Sequence, residues 1–597
     1  MKRIVVLLLA LAMVIALFAA CTPAEVDAVV DEIVDDVVED DVVSSEDETV
    51  GTDEEVEKDE ANEGTGEKVY VNDSAILNLD WWAGIGTDSK FEQPWRDLQS
   101  LYPHMLWGTL IKMDPYDVTN VNAAKMDLAE SMTISDDGLL YTFVMKDGIV
   151  WTDGTPLTAE DVEFSLTVNL KIVHSMYAAN MGSITGVTDV IEGNADTISG
   201  VAVDGNTITV ALDSPFADIS TKIFAVMQIL PKHLLGDVDP LEFEDYLDYW
   251  TKPIGVGPWM IDEVSFPNYF TMVQNPDYYG APVNIQNITF TSHVTGGVDA
   301  TLADLIAGNM DYAFGNGVND IVAAENVVAN NPDIQIFTRP SSYQRMFVFN
   351  GKGSNDGQRN EFTDNKLVRQ AIALLTDKAA AAGMYGNTAT PLKTAVLPTS
   401  AWYNTDIPEF ERDIEGAKAL LDEAGYDYSK AIRMVYYYNE QTTKDIMDIF
   451  VQNFAEAGIT LAPFLATGDL GAILYDVRNW DIMYCGYSTA NPVYIYDMYQ
   501  TTKAYDKYMG DSDFRDEVFQ PMFDAFLAEG DPVARKALAD ELQLWAIENV
   551  YSMPIYGLSR LTLVNTQKLE FDLQWFTVDE MAGASWQWET WNLIAYE

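Results

Sequence analysis

Few residues of this chain are grouped in the way chemistry would group them. The stretch WTDGTPLTAEDV, Trp151 to Val162, gathers Asp153, Glu160 and Asp161 among glycine, proline and threonine. Paired carboxylates of this kind serve a glycosidase as acid and base when they stand about 5 to 10 Å apart. The local grammar reads differently. Asp153-Gly154 tolerates the left-handed backbone of a tight turn, and Thr158-Ala-Glu-Asp161 sets a hydroxyl N-cap three residues before an acid. These acids are therefore expected to punctuate a strand that turns into a helix. The four histidines, His104, His174, His233 and His293, have no partner at helical or hairpin spacing, so a histidine metal site would need long-range assembly. GVGPW at Gly255 to Trp259 is half of a glycine-rich nucleotide loop, but Pro258 and Trp259 stand where the third glycine and the helix start belong. It reads as a strand crossing a tight spot. With no GxxxxGK and no GxSxG, an enzyme reading rests only on spare acids and tryptophans, and the expectation is a protein that is not an enzyme and carries no cofactor or metal.

The elements around these residues say more. A chain of 597 residues with 48% hydrophobic content has material for about two to four domains with large cores. Residues 1–20 read as an export signal: Lys2 and Arg3, an apolar run from Ile4 to Phe18, then Ala19-Ala20 before Cys21. That run is shorter than the roughly 20 residues a spanning helix needs. LFAAC resembles a bacterial lipobox, with Phe18 where Leu is usual, and the resemblance implies a lipid on Cys21; simple cleavage after Ala20 is the alternative. Residues 22–67 hold twenty acids against one Lys58 and no aromatic residue, the composition of a disordered tether 21–67 spanning roughly 35 to 40 Å. Removing that segment's −19 and the leader's +2 from the net −60 leaves −43 on the body. Nucleic acid is excluded as a partner, since phosphate binding needs a cationic face.

Within the body, Asp137-Gly138, Asp147-Gly148, Asp153-Gly154 and Asp204-Gly205 lie beside alternating segments such as LLYTFVMK and TITVAL, which predicts hairpins and a small strand-rich domain over 114–250. Later, DIEGAKALLDEAGYD, KDIMDIFVQNFAEAG and DPVARKALADELQLWAIENV open on a capping acid or close on glycine, and they alternate with strands. An α/β domain is expected over about 325–550.

LAESMTISDDGLLYTFVMKDGIVWTDGTPLTAEDVEFSL, from Leu128 to Leu166, resembles the signature region of bacterial extracellular solute-binding protein family 5. ILPKHLL at 229, PIGVGPW at 253, NPDYYG at 275, LADLIAGNMDYA at 302, DNKLVRQAIALLTDK at 364, AKALLDEAGY at 417 and MPIY at 553 follow in order. The resemblance implies an α/β, periplasmic-binding-protein-like, two-lobed fold of the cluster C type with an inserted small α+β domain. Lobe I would be 68–113 plus 251–325 plus 551–597, the insert 114–250, and lobe II 326–550. It implies hinge closure over a peptide or oligosaccharide and delivery to the permease of an ABC importer, outside the cytoplasm, on a lipid anchor at the outer face or the periplasmic side.

In peptide-binding members the glycine after the lobe II strand is followed by Trp, and then by an Asp that pairs with the peptide's amino group. Here Gly486 is followed by Tyr487, Ser488, Thr489 and Ala490, so that anchor is missing unless another acid such as Asp497 replaces it. Sugars are held by aromatic faces and planar polar groups, which leaves room for an oligosaccharide. Ligand contacts are expected at Tyr484, Tyr487, Ser488, Asn491, Asn316, Trp81, Trp82, Trp402 and Tyr343, with Trp586, Trp588 and Trp591 adding aromatics near the C-terminus. Strands also recruit aromatics for packing, so each has a core reading as well. An extracellular glycosidase or peptidase is the reading from a different class.

Overall fold

Asp-Gly turns organise the region before residue 250. Gly205, at φ +62°, closes the turn between strands Val201–Asp204 and Thr207–Ala211, and Gly138, at φ +69°, lies between Ala129–Ile134 and Leu140–Met145. A side chain at either φ would strain the backbone, and glycine removes that cost. The four strands form one antiparallel sheet in the order 129–134, 140–145, 207–211, 201–204, against which the helix Ala159–Asn169 packs. The computed structural model describes residues 67–596 except 82–88, 96–100, 115–123, 173–174, 294–296, 315–320, 355–363, 489–491, 575–587 and the single positions 340, 342, 399, 409, 469 and 503.

Two larger sheets carry most of the rest, beside a three-stranded sheet of 68–70, 592–596 and 569–570 and the pair 111–112 with 125–126. The first has seven strands in the order 334–339, 560–565, 312–314, 76–81, 287–292, 269–274, 259–265. The second has six, in the order 389–391, 552–558, 344–349, 482–487, 432–436, 461–465. Strand Ile334–Arg339 thus pairs in the first sheet, although it lies beyond 325, and Ser552–Leu558 pairs in the second, although it lies beyond 550. Two neighbouring antiparallel strands pass from one sheet to the other. Arg339 and Arg560 are the last pair on one side, Gln344 and Gly557 the first on the other, and Leu558 donates its N–H to the Tyr343 carbonyl at 2.9 Å between them.

Every residue of Gln344–Phe349 is buried, because the six-stranded sheet is covered on both faces. Phe347 and Phe349 meet Ile372, Leu421 and Phe450 from helices Lys366–Leu375, Ile414–Ala424 and Gln441–Glu456. Met346 and Val348 point the other way, toward Phe523, Leu542 and Trp545 of Gln520–Ala528 and Pro532–Asn549. The caps are those the sequence predicts. Asp413 accepts from Gly416 N, Asp531 accepts from Val533 N and Ala534 N ahead of Pro532, and Gly425 and Gly458 take positive φ beyond their helices. Among the described residues no helix is long and apolar enough to cross a membrane.

Candidate functional site

Strands Ile432–Tyr436, Leu461–Leu465 and Ile482–Tyr487 run parallel, so their carboxyl ends share one edge of the second sheet. In open α/β sheets that edge is where ligands bind. Here it is also the edge next to the two-strand joint, because Tyr487 lies opposite Gln344. Arg345 lies across from Gly486 on one strand and from Tyr556 on the other, and its side chain is 7% exposed. Its guanidinium stacks 3.3 Å from the centre of the Tyr438 ring and donates to the Tyr343 hydroxyl. That hydroxyl is 3.2 Å from Tyr438 Oη, which donates in turn to Tyr437 Oη at 3.2 Å. Gly486 makes the gathering possible: a Cβ there would overlap both the Tyr343 and the Tyr438 hydroxyls and lie 2.7 Å from Arg345 Nη1.

Burial sets the electrostatics of this cluster. Among the described residues, the carboxylate that pairs with Arg345 is that of Glu440, 3.9 Å away and itself held by the Thr443 hydroxyl. Arg345 Nε is buried without a hydrogen-bond partner among the described residues. Burial pushes the Tyr437 phenol up to about 12, and burial drives Tyr438 far higher, against the opposing pull of Arg345. Burial likewise pushes the Cys485 thiol, on the other face of the strand, up to about 12. Neutral phenols can donate or accept hydrogen bonds, the buried Cys485 thiol belongs to the core behind the strand, and neither is an activated nucleophile.

The residues expected to contact a ligand fall into distinct places. Tyr343 is half-buried within the cluster. Tyr487 and Ser488 are half-buried at the same edge, and the Tyr487 phenol is raised by burial and then by the nearby Asp497 carboxylate. Tyr484 is interior: it packs edge-on against Phe347 and Phe450, and its hydroxyl is bonded to that of Tyr556. Three residues apart on one strand, Tyr484 and Tyr487 face opposite sides. Trp402 is also a core residue, 3% exposed, edge-on to Phe526 and beneath the Arg535 guanidinium. Trp588 and Trp591 pack against each other and are buried. Trp81 ends the strand Ile76–Trp81, while Trp82, Asn316, Asn491, Trp586 and Cys21 lie outside the described residues. Sequence reasoning missed Arg345 and Tyr438. The available signal was an arginine in QRMFVF, an otherwise apolar strand of a chain with 94 acidic residues.

The carboxylates of WTDGTPLTAEDV are tied into the fold. Asp161 accepts the N–H of Thr158 at 2.8 Å and that of Lys232 at 2.9 Å, Asp153 accepts from Thr155 N and lies 2.9 Å from His233 Nε2, and Glu160 pairs with Lys232. Cβ atoms on Gly255 and Gly257 would collide with the carbonyls of Leu106 and Met105, so GVGPW is a backbone-to-backbone crossing. His293 sits between Asp80 at 3.0 Å and Asp304 at 2.8 Å, and His174 lies outside the described residues. Among the described residues no group of three or more histidine, cysteine or acidic side chains is placed to hold a metal ion.

Two α/β sheets joined by a pair of crossing strands make a two-lobed α/β fold with a buried cation and phenols at the joint. The profile of bacterial extracellular solute-binding proteins, family 5 (middle), matches residues 123–506, and the chain belongs to that family. The oligopeptide-binding protein AppA of Bacillus subtilis is 30% identical over 333 residues, covering 54% of each chain. The glutathione-binding protein GsiB of Escherichia coli is 25% identical over 336 residues, 56% of this chain and 59% of its own. The chain thus spans between half and two thirds of the length of these curated relatives. Among solved structures, the ABC transporter substrate-binding protein CtaP of Listeria monocytogenes has the same fold, with a TM-score of 0.70, 21% identity, and 87% of this chain and 99% of its own covered.

Proposed function

We propose that this protein is the extracytoplasmic receptor of an ABC importer, capturing an oligopeptide or similar oligomeric solute between its lobes and passing it unaltered to the permease. The observation that carries this reading is the position of the Arg345, Tyr343 and Tyr438 cluster beside the two-strand joint. A solute seated there touches both lobes, and closure about the joint costs only backbone rotation at a few residues. Membership of an extracellular solute-binding family supports it, as does the printed description of AppA as an oligopeptide-binding protein. The burial of Trp402, Trp588 and Trp591 removes three of the nine aromatic faces named for a sugar site, which weighs toward a peptide. Residues 1–20 act as the export signal, Cys21 as the lipid anchor and 21–67 as the tether, and the lobes follow the boundaries drawn above as adjusted by the strand pairing.

Purification followed by native mass spectrometry tests this directly: a co-purified peptide is expected, and incubation with peptide mixtures should raise the melting temperature without cleavage products. Released fragments would sink the carrier reading. Tyr487→Ala should weaken capture at least tenfold while the melting temperature of the unliganded protein stays within a few degrees.

A further inference from the structure

The first sheet also turns its carboxyl ends toward the joint. Strand Arg560–Asn565 starts at the joint, and Tyr312–Phe314 pairs with it antiparallel, ending on Phe314 opposite Thr562. Ile76–Trp81 runs parallel to Tyr312–Phe314, and Asn287–Ser292 runs parallel to Ile76–Trp81, with Ser292 opposite Trp81. His293 therefore stands one residue past the lobe I edge that corresponds to the Tyr487 edge of lobe II, the kind of edge where open α/β sheets bind ligands. Both of its ring nitrogens face carboxylates. Nδ1 lies 3.0 Å from Asp80 on the strand Ile76–Trp81, Nε2 lies 2.8 Å from Asp304 on the helix Gly297–Ala307, and the side chain is 10% exposed. Other donors already use both acids as acceptors: the Thr301 hydroxyl donates to Asp80 at 3.4 Å and Asn309 Nδ2 to Asp304 at 3.2 Å. An imidazole can donate from both nitrogens only as the cation. The charged groups acting on the ring are these two acids, and the strand that leads into it, Asn287–Ser292, carries none.

We propose that His293 is a positioning residue for solute capture: as the imidazolium it ties the lobe I edge of the cleft to the helix Gly297–Ala307, and capture weakens when it loses its proton. The inference rests on the receptor reading and deepens it. Loss of the proton has two effects at once. One nitrogen keeps a lone pair that faces a carboxylate oxygen, which breaks one of the two ties, and the group of three side chains goes from one net negative charge to two. Closure of the lobes brings the two carboxyl edges together over the solute, so an edge that is no longer held offers weaker contacts. The Asp80 bond outweighs burial and, with Asp304, keeps the ring's pKa above its ordinary 6.5. Capture is then strongest below about pH 6.5 and is lost as pH rises through the folded value. By linkage, a solute that binds the charged form better raises the proton affinity of the ring in turn.

The experiment uses the full chain and a tryptic digest of casein, with retained peptides quantified by mass spectrometry after equilibrium dialysis between pH 5.5 and 8.5. Wild-type protein is expected to retain at least fivefold less peptide at the upper pH than at the lower, while its near-ultraviolet circular dichroism stays unchanged. His293→Gln keeps a donor but cannot take up a proton, so it should lose that fall and stay at the weaker level throughout. The peptides' own groups titrate identically against both proteins, and the difference between the two profiles isolates the ring. Should His293→Gln fail to fold, Asp304→Asn is the substitute: its side chain is 33% exposed, and removing one of the two acids should at least halve the pH response. Parallel profiles in the wild type and the variants, or a fall in capture that tracks loss of the circular dichroism signal, overturns the role of His293 and leaves the receptor reading standing. Failure of the wild type to retain peptide at any pH overturns both.

Discussion

Single residues here act through what they let neighbours do. Gly486 is required by the crowd around it, since Tyr343, Tyr438 and Arg345 all occupy the space of its missing side chain. Gly486→Ala should force the two phenols and the guanidinium apart, costing about 1 to 3 kcal/mol of stability as overpacking does. If the cluster is the solute site, peptide capture should fall tenfold or more; capture unchanged in a folded Gly486→Ala protein would place the site elsewhere. Asp161 shows the opposite case. Removing its carboxylate orphans the N–H groups of Thr158 and Lys232, each worth about 1 to 2 kcal/mol at these part-buried positions, so Asp161→Ala should lose about 2 to 4 kcal/mol in urea unfolding. Peptide affinity should not change, and a drop in affinity at constant unfolding midpoint would return these carboxylates to the binding site.

At the scale of elements, what the sequence revealed was whatever depends on neighbours along the chain. Asp413 and Asp531 as caps, Gly425 and Gly458 as stops, and Asp204-Gly205 as a hairpin turn follow from backbone conformations that few residues tolerate. Long-range pairing was less legible. Nothing near Ile334–Arg339 or Ser552–Leu558 says which sheet they join, because their partners lie far away along the chain. The core tyrosine Tyr484 and the edge tyrosine Tyr487 share one strand, and only pairing register separates their fates. His293 was legible only as an isolated residue, yet it ties strand Asn287–Ser292 to Asp80 on Ile76–Trp81 and to Asp304 on Gly297–Ala307, with the Thr301 hydroxyl also on Asp80. The Asp80 hydrogen bond, followed by burial acting the other way and then Asp304, leaves the His293 pKa above its ordinary 6.5. A raised folded pKa means the stabilisation is fully present below about pH 6.5 and is lost as pH rises through the folded value. Unfolding free energy measured from pH 5 to 9 should therefore fall more in the wild type than in His293→Gln; parallel profiles would mean that the imidazole carries no linked proton.

For the whole molecule, the question is what holds the strand-rich insert against the helices of lobe II when the chain's net charge of −60 works against compactness. The Asp218 and Arg535 side chains are 6% and 5% exposed, so their pair is shielded from salt in a way surface pairs are not. Breaking such a pair costs about 3 to 5 kcal/mol because the surviving charge stays buried, whereas replacing both partners with apolar groups is often neutral. If the two domains separate when the lobes open, that cost falls on the closed state. Asp218→Asn should then shift the unliganded protein toward a more open form, visible as a larger radius of gyration in X-ray scattering and faster peptide release, with the urea midpoint changed far less than 3 to 5 kcal/mol would require. The paired replacement of Asp218→Leu with Arg535→Met should restore the compact radius. An Asp218→Asn protein that keeps the wild-type radius and instead loses the full energy in unfolding would show that the two domains move as one body.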